Sequence, residues 1–151
     1  MLWITVVIGV VAGILQIYLF HTPVVKSLLL WIILFGIGVR GVISFYGLYF
    51  MPDKIADKIG FPKGNPFQRE VAFANLGWGV TGLLAFFFRG NFWAAVVIGR
   101  SVFLYGAAWG HIKEYREEGN TSPKNIGPQL WFGDITVPTV LLILLVLYQF
   151  T

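Results

Sequence analysis

The sequence predicts an all-α fold: a polytopic integral membrane helix bundle of about five transmembrane helices plus a short interfacial helix. Three observations carry that prediction. Only 12% of the 151 residues are charged, about half the roughly 25% of ordinary soluble domains. Fully 57% are hydrophobic, too many for a chain of this length to hide from water. The apolar residues also fall in long runs, and a hydrocarbon layer about 30 Å thick needs roughly 20 residues of helix to cross it. Little sequence remains outside those runs, so residues 1–151 are expected to form one membrane domain.

The first run, Met1–Phe20, is broken only by Thr5 and Gln16. It lacks a basic leader and is longer than the apolar core of a signal peptide, so a retained helix over 1–20 is expected. Pro23 closes the turn that follows. A second helix is expected over 26–51, with Arg40 inside it. The stretch 52–65 (PDKIADKIGFPKGN) then breaks the pattern. Ile55 and Ile59 with flanking lysines suggest a short helix lying along the membrane surface. The third helix, 66–88, opens with Asn65 as N-cap, Pro66 in the first turn and Gln68 placed to complete a capping box. Arg89-Gly90-Asn91 makes a tight turn into a fourth helix over 92–112. A second polar loop, 113–127, leads to a last helix over 128–150. Counting that helix from Pro138 would leave too few residues to span. Pro138 is therefore expected inside the helix, freeing the carbonyl of Asp134 four residues earlier.

Five spans would place the N-terminus and both polar loops on one side. That side holds Lys54, Lys58, Lys63, Arg69, Lys113, Arg116 and Lys124, against Lys26 and Arg89 on the other. Excess Lys and Arg mark the cytoplasmic side, so a multi-pass protein with its loop-rich face in the cytoplasm is expected. All seven acids belong to the loop-rich half as well, leaving it close to neutral. The net charge of +4 therefore does not form a basic patch, and nucleic-acid binding has no support.

The informative residues are those that should avoid lipid. Arg40 and Arg100 fall near the middle of their runs, where a charge costs at least about 2.5 kcal/mol on insertion scales. Gly36, Ser44 and Gly47 share a helical face with Arg40, which points it toward a neighbouring helix. Glu70 and Asp134 are the acids within the expected helices, and Asn75 lies deeper than Glu70. Two readings follow. Two arginines and two carboxylates could form structural ion pairs. Alternatively, Arg40, Glu70, Asn75, Arg100, His111 and Asp134 could line a polar cavity open toward the loop-rich face. A metal site drawn from Glu70, His111, Glu114 and Asp134 is the weaker possibility. Those types could suit a first-row metal, but one histidine is a thin basis, and His21 belongs to the opposite face.

Other patterns dissolve in context. With no cysteine in the chain, disulfides, thiolate metal sites and iron–sulfur clusters are excluded. No haem or nucleotide motif is present. Gly36-Ile37-Gly38-Val39-Arg40-Gly41 has dinucleotide-motif spelling but lies inside an apolar run, without the strand and helix start that motif requires. It reads as helix packing, as do Gly106-x-x-x-Gly110 and glycines 77, 79 and 82.

Asn65-Pro66-Phe67-Gln68-Arg69-Glu70-Val71 and Ala74-Asn75-Leu76-Gly77 resemble segments of an uncharacterised family of small multi-helix microbial membrane proteins. So do Gly99-Arg100-Ser101, Gly110-His111, Asn125-Ile126-Gly127 and Phe132-Gly133-Asp134-Ile135. The resemblance runs over roughly residues 61–150. It implies a multi-helix membrane fold and no particular activity. Three functions then compete: a binding or transport module for a small solute, ion or lipid headgroup; an accessory subunit of a larger membrane complex; and a membrane-embedded metal-dependent enzyme. The expected partners are the lipid bilayer and either further copies of this chain or a larger membrane complex.

Overall fold

In the computed structural model, residues 3–150 are described, and among them helix is the only regular structure. Six helices follow one another: α1 (Trp3–Phe20), α2 (Val24–Phe50), α3 (Pro52–Ile59), α4 (Phe67–Leu84), α5 (Asn91–Glu118) and α6 (Gln129–Tyr148). Of these, α2, α5 and α6 are long and apolar enough to cross a membrane, while the apolar stretch Ile4–Phe20 is shorter.

Local chemistry explains most boundaries. Asn65 caps α4 as expected, its Oδ1 accepting the Phe67 N–H at 3.0 Å, although the Gln68 side chain makes no return bond. The surface helix α3 opens on Pro52 and ends at Gly60, whose φ of +80° suits a residue without Cβ. Two boundaries differ from expectation. Helix α4 stops at Leu84, four residues early, because the chain tightens there into a turn. The Trp93 indole N–H takes the Ala85 carbonyl at 2.7 Å. Helix α5 instead continues past His111 to Glu118, through residues expected to be loop. Lys113 and Glu117 pair one turn apart at 3.6 Å, and Gly119 at φ +66° closes the helix. Polarity marks where apolar surroundings end. It does not mark where helical hydrogen bonding ends.

Residues 33–39 of α2 and residues 129–136 of α6 are wound as π-helix. Such wide turns are rare and occur frequently at functional sites. In α6 the cause is legible. Pro138 has no N–H, so a carbonyl one turn earlier must lose its partner. The Val137 N–H bonds back to Phe132 O, five residues away. In that register the carbonyl that would meet Pro138 is Gly133's. The sequence pointed to the carbonyl of Asp134; the π turn moves the deficit by one residue.

The apolar core joins Leu29, Leu30, Ile32, Ile33 and Ile37 of α2 to Trp93, Val96 and Val97 of α5 and to Val137, Leu141 and Leu145 of α6. Across α2 and α4 the backbones themselves meet. A Cβ on Gly41 would lie 2.6 Å from Gly79 Cα, and one on Gly38 would lie 2.9 Å from Leu83 N. Glycines 38, 41, 79 and 82 therefore form the packing seam that their pattern predicted. Gly77, Gly106 and Gly110 do not belong to it, because each faces open space.

The burial pattern is inverted relative to a water-soluble protein. Val7, Ile8, Val11, Leu15 and Phe20 of α1 are exposed, as are Val102 of α5 and Val146 of α6. Arg40, Arg100 and Asp134 are buried.

Candidate functional site

The polar side chains of four helices meet in one layer. Along α2 and α5 the arginines follow the apolar core, Arg40 just after Ile37 and Arg100 just after Val97. Along α6, which runs the opposite way, Asp134 comes just before Val137. Asn75 of α4 similarly precedes Gly79 and Gly82. The four residues thus occupy the same level of the bundle, next to the core and toward its loop-rich end.

Arg40 and Asp134 form the buried ion pair of this layer, with Nη2 3.2 Å from Oδ1. Arg40 Nη1 also donates to Gly133 O at 3.2 Å, filling the place that the missing Pro138 N–H leaves open. Gln129 Nε2 donates to the same Asp134 oxygen at 3.3 Å. A Cβ on Gly133 would stand 2.7 Å from Arg40 Nη2 and closer still to the Gln129 amide nitrogen, so both side chains would have to shift. One proline and one glycine in α6 therefore create the acceptor and the room that Arg40 uses.

Arg100 has a different environment. Its Nη1 donates to Asn75 Oδ1 at 3.2 Å, and Asn75 is itself held by a bond from Nδ2 to Val71 O at 2.9 Å. The guanidinium lies over the Phe103 ring, 4.9 Å from its centroid, a contact that attracts a cation through the ring quadrupole. No carboxylate touches it. Arg40 and Arg100 stand close enough for their charges to repel. Three buried polar atoms have no hydrogen-bond partner among the described residues: Arg40 Nε, Arg100 Nε and Ser101 Oγ.

His111 sits at the edge of the layer, half-buried. Its Nδ1 lies 2.7 Å from Asn125 Oδ1. Asn125 is fully buried and ties the second polar loop down, donating to His111 O at 3.2 Å and to Asn120 O at 2.9 Å. Asn120 in turn donates to the carbonyls of Ile59 and Gly60 at the end of α3. Two asparagines thus join both loops over the polar layer.

The structure therefore brings together Arg40, Asn75, Arg100 and Asp134, with His111 beside them. It does not bring in Glu70, which is exposed near the start of α4 and makes no ion pair. Of the two ion pairs that a balance of charges suggested, one forms and the other does not. The four metal candidates do not assemble either: among the described residues no three His, Asp or Glu side chains are grouped to hold a metal ion. A groove of about 650 Å³ lies between α1 and α6, lined by Val6, Val10, Phe132, Thr136 and Val140 among others, and no ionisable group lines it. Sequence reasoning missed Gln129, Ser101, Phe103 and the role of Gly133. Ser101 and Gly133 lie inside segments that carried the family resemblance, which was the available signal. Gln129 and Phe103 gave none, because their role depends on neighbours distant in the chain.

The class of protein is thus an all-helical bundle with three helices able to cross a membrane and a polar layer buried inside. The chain belongs to a family of unknown function (DUF6790), matched over residues 1–151. That extends the resemblance from the last ninety or so residues to the whole sequence, including α1 and Arg40. Comparison with curated proteins and with solved structures gives no match.

Proposed function

We propose that this chain is a five-span membrane protein, with its loop-rich face in the cytoplasm, and that its buried polar layer is a binding site for a small solute, ion or lipid headgroup. The observation that carries the reading is the inverted burial: Arg40 and Arg100 are each 2% exposed and Asp134 5%, while Val7, Val11 and Leu15 are about half exposed. Lipid is the solvent that makes such an arrangement favourable, because it accepts the apolar exterior and drives charges inward. Helices α1 and α4 have 18 residues each, about 27 Å at 1.5 Å per residue. That nearly matches a hydrocarbon core of about 30 Å, and residues 85–88 lengthen the α4 segment. Intramembrane ionisable groups mark ligand or ion sites more often than chance packing would. The two π-helical segments bordering the Arg40–Asp134 pair favour the same reading.

A second reading, an accessory subunit of a larger membrane complex, is favoured by a separate observation. Gly106 and Gly110, one turn apart on α5, face open space beside the exposed Trp109. Small residues of this spacing admit a partner helix closely.

Native mass spectrometry of protein released gently from its own membranes separates the two. The binding reading expects a small adduct that is lost in Asp134→Asn or Arg40→Met protein that still folds to wild-type helix content by circular dichroism. A bare chain, or an adduct indifferent to both changes, defeats it. A stoichiometric protein partner lost in Gly106→Leu would favour the subunit reading.

A further inference from the structure

We infer that the polar layer takes a small anion, inorganic or carried on a phosphate or carboxylate headgroup, with Arg100 as its counter-charge. The inference rests on the binding reading above and names the ligand class.

The argument begins with charge. The layer contains two guanidinium groups and one carboxylate. At neutral pH both arginines are protonated, so with Asp134 ionised in its pair with Arg40 the layer carries one positive charge in excess. Asp134 is committed to Arg40 through a direct contact of 3.2 Å. Arg100 has only neutral partners, the Asn75 amide and the Phe103 ring. A buried charge with no counter-ion in contact is strongly destabilising, and the repulsion from Arg40 outweighs the more distant attraction of Asp134, which is already paired with Arg40.

Hydrogen-bond capacity points the same way. Arginine offers five N–H donors in a fixed fork, and Arg100 uses Nη1 on Asn75. Its Nε is buried without a partner, as are Arg40 Nε and the Ser101 hydroxyl on the next residue of α5. All three residues are 2% exposed, so bulk water does not satisfy them. The unmet atoms are two cationic N–H donors and a hydroxyl, which an anion's oxygens or a halide would accept. A cation would meet repulsion from both arginines. A neutral solute would leave the excess charge unbalanced.

The test uses the full chain, purified in a neutral detergent and delipidated. Its thermal midpoint is followed while chloride, acetate or inorganic phosphate replaces gluconate at constant ionic strength. A saturable rise of several degrees is expected with at least one of them. Arg100→Met should abolish that rise, and Arg100→Lys should retain part of it. Arg89→Met, which removes an exposed arginine outside the layer, should leave it intact. A parallel arm compares vesicles of phosphatidylcholine with vesicles containing phosphatidylglycerol. Stabilisation confined to the second, and lost in Arg100→Met, would identify a headgroup as the source. Absence of any Arg100-dependent rise in both arms overturns the inference. Should native mass spectrometry meanwhile find a neutral or cationic adduct that needs Asp134, the binding reading stands and the anion alone is wrong.

Discussion

Arg40 and Arg100 are equally buried in the same layer of one bundle, yet they are held in opposite ways. Arg40 has a carboxylate, a backbone carbonyl and a glycine that makes room for it. Arg100 has an amide and an aromatic ring. The first is a completed ion pair whose partners were made by a proline and a π turn in another helix. The second is a charge with no carboxylate in contact with it, the nearest one, Asp134, being bonded to Arg40. The contrast teaches that the depth of a charge in a helix says nothing about how it is neutralised. Arg40 is neutralised by its own fold even though its Nε has no partner, whereas Arg100 points to a counter-charge from outside the chain.

The largest break in that comparison should come from Asp134→Ala. Removing one member of a buried pair leaves Arg40 uncompensated, a loss of about 3–5 kcal/mol. Thermal unfolding in detergent should show the variant as strongly destabilised or unable to accumulate folded. A wild-type midpoint would mean that Arg40 is not held by this pair.

Asn75→Ala should cost less, about 1–3 kcal/mol, since it removes the one side-chain acceptor of Arg100 and leaves that donor unmet. The same unfolding measurement reads it, and loss as large as that of Asp134→Ala would erase the distinction drawn here. Arg100→Met should have the smallest effect. Measured in gluconate, it should move stability by no more than about 1 kcal/mol, because losing an uncompensated charge offsets the orphaned Asn75 oxygen. A large loss would show that the charge of Arg100 is as well compensated as that of Arg40. The order Asp134→Ala, Asn75→Ala, Arg100→Met is therefore the quantitative form of the comparison.

Much of the fold was legible in the residues themselves. Apolar runs of spanning length, the Asn65 cap and the Gly90 turn each depend on local chemistry that a linear sequence displays. The inward direction of Arg40 was legible too, from the small residues at helical spacing around it. Helix ends were less so. α5 extends into polar residues, where Lys113 and Glu117 pair one turn apart, and α4 stops early where the chain tightens into a turn and Trp93 takes the Ala85 carbonyl. Of the proposed site, Arg40, Asn75, Arg100, His111 and Asp134 were identifiable from type and depth. Glu70 had the right type, and the structure sets it on the outside of its helix.

By itself, then, the sequence determined an all-helical chain with long apolar segments and the few polar residues that must avoid lipid, because helix periodicity and hydrophobic length are local properties. The tertiary structure alone decided which of those residues meet. Pairing Arg40 with Asp134 needed the π register set by Pro138, the room left by Gly133 and the close glycine seam between α2 and α4. Each depends on the distance between backbones far apart in the chain, and that distance is a property of packing that no single stretch of sequence contains.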